Sequence, residues 1–248
     1  GFKNKKMYNG LHVHYTSNYI SERKIEYVDF VYEFYVMSYK LELKNSMNGI
    51  NDNNQNIESV NKYGGFYIGR FEAGDQNYVG DSERIYRQEN IDRELEVKKG
   101  IMAYMEVTFD EALVEANSMY SDNEAVISQV ISGAGWDRTM NWLIETGAKS
   151  KYEVYLDSST WGNYNNSVGN AAIDSGWNNY DAITGKSEYW KINNIYDLAG
   201  NCEEMTQEAT TEKMITRGGS VSGYCNGYYP AGMRFSEWDR EKRDEEIS

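Results

Sequence analysis

The chain holds few of the side chains that usually do chemistry. In 248 residues there are two cysteines, Cys202 and Cys225, and two histidines, His12 and His14. Two thiols so far apart form neither a disulfide framework nor a Cys-x-x-Cys metal site. They read as small buried residues, with a single bridge or a redox pair as the alternatives. His12-Val13-His14 on a strand would project both rings from one face. A metal role for that pair competes with the plainer reading of exposed polar residues. So few histidines rule out a Ser-His-Asp set in the body of the chain. Glu203 and Glu204 are adjacent and would point different ways. Asp52-x-Asn54-x-Asn56 starts like a calcium loop, but Ile57 replaces the required glycine and Tyr63 stands where the closing glutamate belongs. The motif is rejected, and catalysis is poorly supported.

The charge balance narrows the partners. Lys and Arg number 25 and Asp and Glu 39, so the net charge is −14. This acidity argues against phosphate-backbone binding, which needs Lys and Arg to displace counterions, and against anionic membranes. No stretch reaches the ~18 consecutive apolar residues of a membrane span, and residues 1–10 have no apolar core of a signal peptide. Leu, Ile, Val and Phe are scarce, which with this charge can mean disorder. The 22 Tyr and 6 Trp supply the missing apolar area. With 22 Gly and one Pro, the composition predicts a folded, Tyr- and Asn-rich α+β protein.

The elements follow from periodicity. Val28, Phe30, Tyr32, Phe34 and Val36 alternate as in a strand, as do residues 40–44, and Gly65–Glu72 is a strand bounded by glycine. Residues 45–58 read as a loop and 75–99 as a polar surface excursion. Thr108-Phe109-Asp110-Glu111 is a capping box that opens a helix near 109–120, carrying Phe109, Ala112, Leu113, Ala116 and Tyr120 at helical spacing. Residues 125–131 are apolar. A second helix near 135–146 carries Trp136, Met140, Leu143 and Ile144 on one face, and Gly147 stops it. Trp136, Leu143, Phe109 and Leu113 are expected in the core. Beyond Lys151 helical periodicity disappears, and 239–246 is a charge run expected to be a solvated tail.

Five segments in order resemble the sulfatase-modifying-factor family, the formylglycine-generating-enzyme-like version of the C-type lectin fold. They are Gly65–Gly74, Val107–Ala112, Trp136 in its helix, Asn194-Ile195-Tyr196-Asp197-Leu198-Ala199-Gly200-Asn201-Cys202-Glu203-Glu204-Met205-Thr206, and Arg217-Gly218-Gly219-Ser220 with Arg234 downstream. They span about residues 28–240. The fourth departs from the family's YDxxGNVWEWT signature, because Cys202-Glu203-Glu204-Met205 replaces Val-Trp-Glu-Trp. The family's apolar GFR closing strand has no counterpart before Ser248. The resemblance implies an N-terminal extension over 1–27 and one domain over 28–248, with two helices packed on a small twisted antiparallel sheet and much irregular structure.

The same resemblance sets the functional expectations. Oxidising members bind copper through two cysteines after Gly-Gly-Ser, at positions that are Gly223 and Tyr228 here. A thiolate copper site needs at least two soft ligands. The related iron enzymes use a histidine cluster that this chain lacks. Neither copper nor iron is expected. The family places a structural calcium at positions corresponding to Asp197, Gly200, Cys202 and Glu204, through two side chains and two backbone carbonyls, all hard oxygen donors. Its non-catalytic members are variable ligand-binding proteins of diversity-generating retroelements and tip domains of phage fibres or bacterial surface proteins. The segment Val221–Pro230 mixes Tyr, Asn, Ser and Gly as antibody paratopes do, against the plainer reading of a Tyr-rich loop. Tyr224, Asn226, Tyr228 and Tyr229, flanked by Trp238, are therefore expected to contact a host receptor, protein or glycan, on a virion or bacterial surface. Homo-oligomers or a larger virion assembly fit this picture. An oxidoreductase of the formylglycine-generating type and a purely structural virion protein are the competing expectations.

Overall fold

The computed structural model describes residues 13–17, 35–37, 62, 64–75, 95–104, 108–122, 126–164, 167, 183–209, 214–220 and 230–234. Within them the chain is a mixture of helices and small antiparallel sheets. The main sheet has the order β2-β3-β1-β7, formed by Tyr35–Met37, Phe66–Ile68, Val13–Ser17 and Val126–Val130. The expected strand at 65–72 is thus β3, and the apolar run at 125–131 contains β7. Residues 1–27, expected to extend from the domain, supply β1 between β3 and β7, with Tyr15 opposite Tyr67 and His14 opposite Gln129. His12, residues 18–34, 38–61 and 239–246 lie outside the described residues, so the expectations on them stay where they were.

Strand β3 is buried on both faces, and this organises the interior. Its residues alternate sides. Phe66 and Ile68 join Trp136, Met140, Leu143, Trp161 and Ile195 in one apolar cluster. Tyr67 joins Phe71, Val97, Ala112, Ala116 and Tyr196 in another. Each expected helix covers one cluster. Helix α1 is Phe109–Ser118, capped by Thr108: the Glu111 amide donates to the Thr108 hydroxyl at 3.2 Å and the Thr108 amide to the Glu111 carboxylate at 2.9 Å. Helix α2 is Gly133–Glu145, beginning two residues earlier than expected because Ser132 caps it through the Gly135 amide at 3.1 Å. Trp136 and Leu143 are fully buried and Phe109 is 3% exposed. Leu113 is only half-buried at the edge of its cluster.

Two expectations need correction. Helical structure does continue beyond Lys151: α3, Lys151–Tyr155, is a single short helix closed by a second capping box between Ser150 and Glu153. The polar stretch 75–99 is not wholly a surface excursion. Its ends form β4 (Ala73–Asp75) and β5 (Leu95–Val97), which pair with β6 (Met102–Ala103) in a three-stranded sheet. A hairpin, β8 (Lys191–Ile192) with β9 (Ile195–Tyr196), and a ribbon, β10 (Glu204–Ala209) with β11 (Met214–Arg217), complete the described strands. Among the described residues no helix is long and apolar enough to cross a membrane.

The α3 cap gives a pH prediction. Hydrogen bonding from the Ser150 amide, aided by Lys149, holds the Glu153 carboxyl down from an ordinary 4.5 to about 2. A depressed carboxyl pKa stabilises the fold fully above the unfolded value, and that stabilisation is lost as pH falls from 4.5 toward 2. The melting temperatures of the parent and Glu153→Gln should therefore converge over that window. A gap that is the same at pH 7 and pH 2.5 would show that the carboxylate charge contributes nothing to this cap.

Candidate functional site

Two described features bear on the expected sites, and they adjoin. The first is the base formed where the residues flanking 221–229 meet. Strand β10 places polar side chains inward: Glu204, Thr206 and Glu208 are buried, while Met205 and Gln207 are only half-buried. Glu208 and Asp137 of α2 form an alternating square with two arginines. Arg217 donates from Nε to Glu208 at 2.9 Å and from Nη1 to Asp137 at 3.2 Å and to the Gly232 carbonyl at 2.9 Å. Arg234 donates from Nε to the other Glu208 oxygen at 2.7 Å and from Nη2 to the other Asp137 oxygen at 2.9 Å. Arg217 is fully buried, and the Arg234 side chain is 37% exposed. Each carboxylate thus takes both arginines, and the desolvation of four charges is offset by short, charge-assisted hydrogen bonds.

The two ends of the Tyr-rich segment meet on this base. The Gly218 amide donates to the Ala231 carbonyl at 3.3 Å, the Trp136 indole donates to the same carbonyl at 2.8 Å, and the Tyr164 hydroxyl donates to the Gly218 carbonyl at 3.0 Å. On the return side the Ala231 amide donates to the Ser158 hydroxyl at 3.0 Å and the Gly232 amide to the Val154 carbonyl at 2.9 Å. The chain therefore leaves at Ser220 and returns at Pro230 to the same buried spot. Tyr224, Cys225, Asn226, Tyr228, Tyr229 and Trp238 themselves lie outside the described residues.

The second feature is the Asp197–Glu204 turn. Asp197, Gly200 and Asn201 all have positive φ (61°, 77° and 63°), which coils the chain tightly. Glycine is required at 200, since a Cβ there would overlap the Asn163 carbonyl. The Gly200 amide donates to the Gly218 carbonyl at 2.9 Å, so the turn lies directly against the start of the Tyr-rich segment. A Cβ on Gly218 would overlap the Glu204 carboxylate. Sequence reasoning gave no role to Glu72, although the motif containing it was recognised. Its buried carboxylate accepts from the Asn201 side chain and from the Cys202 amide at 3.3 Å. Cys202, expected to be a small buried residue, is half-buried, whereas Glu204 two residues on is fully buried.

The turn therefore gathers three fully buried carboxyls. Burial is the main cause that raises each: Asp197 to about 7, and Glu72 and Glu204 well above the ordinary carboxyl range, with Asp197 adding its repulsion to both and Glu72 to Glu204. Asp197 accepts the Gly185 amide at 2.7 Å on one oxygen, while its other oxygen is buried without a hydrogen bond. An orphaned buried oxygen among hard donors is what a calcium ion would satisfy, so the residues present fit the ion that the resemblance implies. No group of three or more His, Cys, Asp and Glu side chains is arranged as a metal cage among the described residues. The implied set has only two side-chain ligands and takes its other donors from the backbone. If the ion is held, millimolar calcium should raise the melting temperature and a chelator should lower it, by about 2.7 kcal/mol of stability at a hundredfold excess over Kd. Identical melting in calcium and in chelator would remove the ion from the account.

No family model, curated protein or solved structure matches the chain.

Proposed function

We propose that the chain is a non-catalytic recognition module of C-type-lectin-like fold, of the formylglycine-generating type, carried on a phage virion or bacterial surface. Its ligand, a cell-surface protein or glycan, is contacted by Tyr224, Asn226, Tyr228 and Tyr229, with Trp238 at the flank. The observation that carries this reading is the base: Arg217 and Arg234, one on each side of residues 221–229, bind the same two buried carboxylates. Binding residues are characteristically carried on loops held by a rigid scaffold. Between the two clamps the sequence is Val-Ser-Gly-Tyr-Cys-Asn-Gly-Tyr-Tyr, a mixture in which Tyr supplies rigid contact area and Ser, Gly and Asn adapt.

The reading includes no redox chemistry. The positions at which the resembling oxidases carry their thiols are Gly223 and Tyr228, and the histidines that an iron site would use are only His12 and His14. Calcium at the Asp197–Glu204 turn would be structural, stiffening the stretch against which Gly218 leans. The test is replacement of Tyr224, Tyr228 and Tyr229 together by Ala. Folding should survive and attachment to whole cells or to a glycan array should be lost.

A further inference from the structure

Three separate stretches of chain bring cations around one aromatic ring. Arg70 follows β3, Lys99 follows β5, and Lys191 opens β8, directly opposite Tyr196 in the β8–β9 register. The Arg70 guanidinium lies 5.1 Å from the Tyr196 ring centre and 5.1 Å from that of Phe71, and the two rings stack at 5.0 Å. The Lys99 and Lys191 ammonium groups lie 5.1 and 5.6 Å from the Tyr196 ring. Tyr196 itself is 1% exposed, so the ring is a fixed floor.

One exposed carboxylate serves both lysines. Glu188, on the 3-10 turn Glu188–Trp190 that leads into β8, accepts from Lys99 at 3.2 Å, from the Tyr196 hydroxyl at 2.5 Å and from Lys191. Arg70 has no carboxylate among the described residues. Its Nε donates to the Asn194 carbonyl at 3.0 Å and an Nη reaches the Tyr196 hydroxyl at 3.5 Å. Among the described residues, three cations against Glu188 leave 3 − 1 = +2 on this face of a chain whose net charge is −14. Buried Asp197 below feels Lys99 and trims that excess without cancelling it. The Arg70 guanidinium, equidistant from the two stacked rings and with most of its N–H donors unused, is available to a planar oxyanion.

We infer that this face binds the carboxylate of a short acidic saccharide, a ligand class independent of what the Tyr-rich segment contacts. Arg70 takes the carboxylate through its fork. Lys99 and Lys191 steady the second oxygen or a second acid group, and Glu188 is the internal carboxylate that the ligand partly replaces. A sugar fits better than an acidic peptide for two reasons. Tyr189, in the same 3-10 turn, is 63% exposed, and an exposed aromatic ring can pack against sugar C–H groups. Strands β8 and β9 are two residues each, too short an edge for strand addition. The ligand is short because the chain's net negative charge repels a long polyanion.

Calorimetric titration with digalacturonate, neutral galactobiose, inorganic sulfate and a glutamate tripeptide tests this. Digalacturonate should bind saturably and galactobiose should not. Lys99→Gln with Lys191→Gln should weaken digalacturonate about tenfold, and Arg70→Lys, which keeps the charge but loses the fork, should weaken it severalfold. Glu188→Gln should tighten it, because it removes the competing carboxylate. Both lysines are substantially exposed, at 51% and 30% of their side chains, so their variant should melt like the parent. The inference is overturned if digalacturonate does not bind or binds no better than galactobiose. Unchanged affinity in both the double-lysine and the Glu188 variants also overturns it. Stronger binding of the tripeptide, or binding of sulfate alone, would assign the face to a peptide or to a bare anion instead.

Discussion

Arg217→Met should cost about 3–5 kcal/mol, because it leaves two buried carboxylates with a single, partly exposed arginine. For a chain of this size that is a fall of roughly 6–20 °C in melting temperature. The physical content lies in the asymmetry. Methionine fills much of the space, so the loss is chiefly that of an uncompensated buried charge on Asp137 and Glu208. Replacing Glu208 by Met in the same chain should therefore recover part of the stability, since it restores one carboxylate to one arginine. If the double variant melts below Arg217→Met, the square is held by packing rather than by charge balance. The same variant should loosen the base on which residues 221–229 begin and end.

Trp136→Ala should cost a similar amount, about 3–5 kcal/mol, from the cavity left by a fully buried indole. The lost hydrogen bond adds to this, because the Ala231 carbonyl keeps only the Gly218 amide at 3.3 Å. Trp136→Phe should fall between parent and Ala, since it restores most of the volume but not the donor. Equal melting of Trp136→Ala and the parent would mean that the helix face is misassigned. The two predictions involve the same neighbourhood: Trp136 and Asp137 are consecutive on α2, Trp136 donates to the Ala231 carbonyl, and Asp137 accepts from the Arg217 that also donates to the Gly232 carbonyl.

What could be read from the sequence was local. The capping box of α1 needs only Thr108 and Glu111, and the apolar face of α2 needs only Trp136, Met140 and Leu143, so both were legible. The second capping box, Ser150 with Glu153, carried the same signal, but a five-residue helix has too little periodicity to draw attention to it. Strands β4, β5 and β6 are two or three residues long and are defined by pairing across the chain, which no local pattern records. Strand β10 inverts the usual rule. Its inward residues are Glu204, Thr206 and Glu208, because the groups that satisfy Glu208 come from Arg217 and Arg234. The turn at Asp197–Glu204 was recognised by resemblance alone. The burial of Glu72 beside it, and the approach of Arg70 to Tyr196, depend on contacts between residues more than a hundred positions apart.

The central claim is that residues 221–229 carry the recognition chemistry on a base that folds without them. Its most direct test compares, in one preparation, the melting temperature and the cell or glycan attachment of the parent and of the variant with Tyr224, Tyr228 and Tyr229 replaced by Ala. The account predicts melting within about 2 °C of the parent, as expected for substitutions that remove no core contact, together with loss of attachment. Loss of folding would make these rings part of the core, and intact attachment would move the binding surface elsewhere; either result contradicts the account.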